Sequence, residues 1–179
     1  MGKKKTNYNL LNPESSSRKY ETYVEETIEQ YIIKPPGVLE SLFKHLISDI
    51  EILKSLTTEI PLRSRRAEKP RWKGASGYEH QIDCSFSTED ERVIVLVETK
   101  RKGGTINIPE FSTFLVRVID IATGYPNSAV LGIMVTTQGY QGRDGGRIED
   151  RNCIGKLKAQ FNKMGFYITI QTLNDVPPP

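Results

Sequence analysis

The sequence predicts an α/β fold in which helices flank a mixed central sheet. Three observations carry that expectation. The run at 129–137 is almost continuously apolar, as in a strand covered on both faces. Apolar residues recur at spacings of three and four over 37–57 and again over 109–123, which gives each helix one face to lay on a sheet. Between those helices, 80–86 and 93–100 read as strands, but each carries charge at an end where a core strand stays apolar.

Taken in chain order, residues 1–19 hold Lys, Asn, Ser and Pro with little apolar content, and read as a disordered basic tail. Residues 20–36 form an N-terminal helix and linker. Tyr20, Val24, Ile28, Tyr31 and Ile32 lie at helical spacing, and Pro35-Pro36-Gly37 stops the helix. A domain is expected over 37–174. Its first helix, near 37–57, presents Leu39, Leu42, Phe43, Leu46, Ile47, Ile50, Leu53 and Leu56 on one side. The two charged strands follow a basic stretch at 61–74. After them come a helix carrying Phe111, Phe114, Leu115, Val118, Ile119 and Ile121, the strand at 129–137, a helix near 147–163 and a strand at 166–173. Residues 175–179 are a loose end.

The charged strands hold the chemistry. Side chains alternate faces along a strand, so Ile94, Leu96, Glu98 and Lys100 share one face. Asp83 shares its own with Gln81 and Ser85. The polar run 87–91 is the natural turn. A turn centred between Asp90 and Glu91 puts Asp83 directly opposite Glu98, where facing Cβ atoms stand about 4.5–5.5 Å apart. Two carboxylates at that spacing suit one divalent cation, and a lysine beside them orients water or offsets charge on a phosphate. That chemistry is metal-assisted cleavage of a phosphodiester. The contrasting reading is a solvated strand end. His80 falls on the other parity and reads as structural.

Gly77-Tyr78-Glu79-His80-Gln81-Ile82-Asp83, followed by Val95-Leu96-Val97-Glu98-Thr99-Lys100, resembles the PD-(D/E)xK nuclease superfamily, and most nearly its Mrr-type branch. The likeness spans roughly 37–174. It continues through Ile108-Pro109-Glu110-Phe111 and its helix, then through the strand ending Val135-Thr136-Thr137 and the turn with Gln138 and Gln141. No proline precedes Asp83, which departs from the pattern. The resemblance implies a restriction-endonuclease-like three-layer sandwich and a DNA endonuclease of restriction or repair type, using Mg²⁺ or Mn²⁺. It assigns Asp83, Glu98 and the carbonyl of Thr99 to the metal and Lys100 to the water or phosphate. An acid from the first core helix, Glu40, joins the site in that pattern. Glu79 is its rival, and a helix-start carboxylate favoured by the macrodipole is the plain alternative for Glu40.

The partner expected from charge is DNA. Arg63, Arg65, Arg66, Lys69, Arg71 and Lys73 stand against Glu68 in 61–74, and Arg101 and Lys102 follow the lysine strand. Cations grouped beside an acidic pair suit a chain-like polyanion. Trp72, inside the cluster, either covers a core edge or stacks on a base. The net charge of +3 is too small to argue the point alone. Cys84 and Cys153 are too few for a cysteine-rich zinc site, and no apolar run approaches a membrane span. A reduced cytoplasmic setting is the default expectation, and cutting both strands favours a homodimer. The alternatives are a non-catalytic DNA-binding module of the same fold and an interaction domain with no nucleic-acid partner.

Overall fold

The computed structural model describes residues 26, 28–34, 37–57, 63–64, 70–100, 106–136 and 148–172. The tail at 1–19, the end at 175–179, Arg65, Arg66, Lys69, Arg101, Lys102, Gln138 and Gln141 lie outside them. Among the described residues seven strands occur in chain order: β1 (Arg63–Ser64), β2 (Arg71–Lys73), β3 (Glu79–Gln81), β4 (Cys84–Ser87), β5 (Val93–Lys100), β6 (Ala129–Thr136) and β7 (Tyr167–Thr172). The helices are α1 (Val38–Phe43), α2 (Ile50–Thr57), α3 (Ile108–Gly124) and α4 (Ile148–Lys163), preceded by a π-helical turn at Glu29–Ile33. Five strands form one mixed sheet in the order β1-β4-β5-β6-β7. β4 runs antiparallel to β1 and β5, while β5, β6 and β7 are parallel.

Strand alternation builds three layers. Cys84, Phe86, Val95, Val97, Leu131 and Ile133 face one side and pack with Ile28, Ile32, Leu39, Phe43, Ile47 and Leu56. Ile94, Leu96, Val130 and Met134 face the other and pack with α3, with Ile154 of α4 and with Trp72. The segment before residue 37 therefore shares a core with α1. The N-terminus of α3 is fixed by a reciprocal cap. Asn107 Oδ1 accepts from the Glu110 N–H at 2.9 Å, and Glu110 returns to the Asn107 N–H at 3.3 Å. Phe111, Phe114, Leu115, Val118 and Ile121 of α3 are buried, each worth about 1.5–3 kcal/mol. The helix lies close because Gly132 leaves room. A Cβ there would stand 2.9 Å from the Val118 side chain.

Two expected elements divide. The single helix over 37–57 breaks into α1 and α2. Asp49 starts the second, its carboxylate accepting from the Ile52 N–H at 3.4 Å and its carbonyl from the Leu53 N–H at 3.1 Å. An Asp inside a helical pattern offers the backbone this competing partner. His45 is thus exposed in the connection rather than on the helix. The strand expected over 80–86 breaks at Ile82 and Asp83. Residues 79–81 pair with β2 in a separate two-stranded ribbon, where Trp72 faces His80. The chain then crosses into the main sheet as β4. Face parity consequently does not run from Glu79 to Asp83, and Glu79 is exposed on the ribbon.

That ribbon is clasped to α3 by Asp120. Its carboxylate accepts from Ser76 N–H at 2.8 Å and Ser76 Oγ at 2.6 Å, and pairs with His80 Nε2 at 2.6 Å. Gly74 leaves room for the clasp, since a Cβ there would fall 2.0 Å from Asp120 Oδ2 and displace that carboxylate. The Ser76 hydroxyl first, then His80 and the Ser76 amide, lower the Asp120 carboxyl from 3.8 to about 2. A carboxyl that is more acidic in the folded chain contributes stability fully present above its unfolded value and lost as pH falls through its folded one. Asp120→Asn is expected to lower the urea midpoint at neutral pH. The gap to wild type should close between about pH 4 and pH 2. A gap unchanged down to pH 2 would show that the clasp does not depend on the ionised carboxylate.

Candidate metal centre

The turn between β4 and β5 sets the geometry of the acidic pair. Thr88 Oγ1 donates to Asp90 Oδ1 at 2.7 Å, Arg92 Nε donates to Asp90 Oδ2 at 2.6 Å, and Val93 N–H returns to Thr88 Oγ1 at 3.1 Å. The Thr88 hydroxyl first, then the Arg92 amide and guanidinium, lower the Asp90 carboxyl to about 2. Glu91 takes a positive φ of 55° to close the loop. The loop fixes the register as Cys84↔Val97, Ser85↔Leu96 and Phe86↔Val95. The pairing ends at Cys84↔Val97, and one residue beyond it stand Asp83, at the crossing from β3, and Glu98, whose neighbour is Arg117 of α3. The register expected for the hairpin therefore holds over 84–87 and 94–97.

The two carboxylates have different surroundings. Asp83 is half-buried where the chain crosses from β3 to β4. Its Oδ2 accepts from the Thr99 amide at 2.8 Å and from Thr99 Oγ1 at 3.0 Å. The side chain thus continues the hydrogen-bonding edge of β5 after the backbone of β4 has turned away. Thr99 thereby orients Asp83 through two donors, a role the sequence did not disclose. Asp83 Oδ1 accepts no hydrogen bond from the described residues. Glu98 is buried at 6% exposure, and Arg117 Nη1 from α3 stands 3.3 Å from its Oε2. The same Nη1 donates to the Gln81 carbonyl at 3.4 Å. A carboxylate this deep holds its charge only beside a cation.

Arg117 and Asp120 were both missed by sequence reasoning. The available signal was two charges, three residues apart, inside the otherwise apolar 114–121 run. They lie on one side of α3, and both grip the segment that leads into Asp83.

Other expected site residues fall as follows. Lys100 ends β5, two residues past Glu98 and in register with Thr136. Glu40 lies on α1, half-buried, and its helix packs on the sheet face opposite to that of Glu98. Among the described residues no group of three or more His, Cys, Asp or Glu side chains converges. Arg71 and Lys73 are exposed on β2, on either side of the buried Trp72. Trp72 covers a core edge, with its Nε1 donating to Ser85 Oγ at 3.0 Å and its ring edge-on to Tyr125. His80 is structural, as expected. Arg63 belongs to β1 at the sheet edge.

The donors at Asp83 and Glu98 are hard oxygens, the set suited to Mg²⁺ or Mn²⁺, and Asp83 Oδ1 is available to one. An open hollow of about 500 Å³ lies at the opposite ends of the parallel strands, lined by Arg92, Asn127 and Phe166 among others. The acidic pair lies at the other end of β5, away from that hollow. No described helix is long and apolar enough to cross a membrane. Known protein families provide no match to the chain, and neither do curated proteins. A crystal structure of a protein of unknown function, AF1548, is similar with a TM-score of 0.40 at 12% identity, over 74% of this chain. The chain spans 58% of the length of that protein.

Proposed function

We propose that this chain is a Mg²⁺- or Mn²⁺-dependent DNA endonuclease of restriction-endonuclease-like fold. The observation that carries the reading is the register that ends at Cys84↔Val97, leaving Asp83 and Glu98 each one residue beyond it and Lys100 two residues after Glu98. Asp83 and Glu98, with the Thr99 carbonyl, would hold the cation. A divalent ion there supplies charge stabilisation to the phosphate and a more acidic bound water. Thr99 keeps Asp83 oriented, and Lys100 positions the attacking water or offsets charge on the phosphoryl oxygens. Arg71 and Lys73, with Arg63, Arg65, Arg66, Lys69, Arg101 and Lys102, give the DNA backbone its contacts. Cutting both strands would call for a two-fold homodimer.

Nicking of supercoiled DNA in Mg²⁺ or Mn²⁺, absent in EDTA, tests the reading. Binding without nicking in either metal, across several DNA forms, would overturn it. It would favour a non-catalytic DNA-binding module. The Arg117–Glu98 pair is the observation that favours this second reading, because it balances Glu98 without a metal. The basic stretch has its own test. Replacing Arg65, Arg66 and Lys69 together with Ala is expected to weaken DNA binding. It should also lower the slope of log K against log salt by about three, one for each phosphate contact. An unchanged slope would make 61–74 a solvated loop.

A further inference from the structure

Arg117 occupies a place that helix packing does not require. The neighbouring Phe114 and Val118 bury into the sheet, while Arg117 stays 31% exposed and extends one nitrogen toward Glu98. Its contacts are 3.3 Å to Glu98 Oε2 and 3.4 Å to the Gln81 carbonyl, both from Nη1. A tightly held guanidinium makes two short parallel bonds of about 2.7–2.9 Å to a carboxylate. Arg117 is thus a loosely bound cation beside Glu98 that also reaches solvent.

We propose that Arg117 is an exchangeable counter-ion of the metal centre, an inference that rests on the metal reading above. It balances Glu98 when no divalent cation is present, and a cation entering between Asp83 and Glu98 displaces it. Both positive species draw on the same carboxylate, and their mutual repulsion opposes joint occupancy. The released guanidinium remains anchored on α3 beside Gln81, where a DNA phosphate is its natural new partner. Metal loading would then also arm a phosphate contact.

Mn²⁺ titration followed by electron paramagnetic resonance, on wild type, Arg117→Gln and Asp83→Ala, tests the exchange. Arg117→Gln should bind Mn²⁺ roughly tenfold more tightly than wild type, within the usual range of coupling between competing sites. Asp83→Ala should lose the ion. Equal or weaker binding by Arg117→Gln, with binding still lost in Asp83→Ala, would overturn the exchange and leave the metal site standing. No Mn²⁺ binding by wild type would overturn both. A second measurement needs no variant. The guanidinium resonances of Arg117 in the wild-type protein should shift on Mg²⁺ addition, and signals unmoved at saturation would also overturn the proposal.

Discussion

Truncating Trp72 to alanine is expected to cost about 3–5 kcal/mol of stability, the usual price of removing a large buried aromatic. Trp72 is 1% exposed and packs with Ile82, Leu96 and Ile121 between the ribbon and the main sheet. Its Nε1 also satisfies Ser85 Oγ, a buried hydroxyl on β4. Trp72→Phe keeps most of the packing and leaves that hydroxyl without the bond, an expected cost of about 1–3 kcal/mol. Urea unfolding followed by far-ultraviolet circular dichroism checks both values. A loss under about 1 kcal/mol for the alanine variant would show that Trp72 does not tie the ribbon to the core.

Lys100→Ala is expected to reduce DNA nicking by about 10²–10³-fold, by analogy with the loss of one transition-state donor. Metal and DNA binding should stay close to wild type. Lys100 closes β5 two residues beyond Glu98, so its removal leaves both carboxylates and the basic stretch at 61–74 in place. Nicking in Mg²⁺, with DNA affinity measured in parallel in Ca²⁺, separates the two effects. Full-rate cleavage by Lys100→Ala would remove Lys100 from the chemistry even in an active nuclease.

Much of this arrangement was legible in the sequence because it depends on local periodicity. The continuous apolar run 93–97 and the polar turn at 87–91 fix a register by counting alone, and the structure has that register over 84–87 and 94–97. α3, β6, α4 and β7 fall within a residue or two of their expected limits, since caps and breakers such as Asn107 and Pro126 mark them. What escaped depends on contacts far apart in the chain. The strand at 80–86 breaks because residues 79–81 pair with β2, and nothing local at Ile82 announces a change of sheet. The β2 strand itself was hidden in a basic stretch whose composition reads as loop. Arg117 and Asp120 acquire their roles only once α3 lies over the crossing at Asp83. Asp49 was visible as a helix breaker, but the apolar spacing around it dominated the reading.

Calorimetric titration of Mg²⁺ or Mn²⁺ into wild type, Asp83→Ala and Glu98→Gln tests the metal centre most directly. Both residues are held by neighbours that survive the substitutions, Thr99 for one and Arg117 for the other, so each variant should stay folded. The expected result is one divalent site in the wild-type chain, lost or strongly weakened in both variants. Equal binding by wild type and Asp83→Ala would contradict the assignment, as would a wild-type chain that takes up no divalent ion.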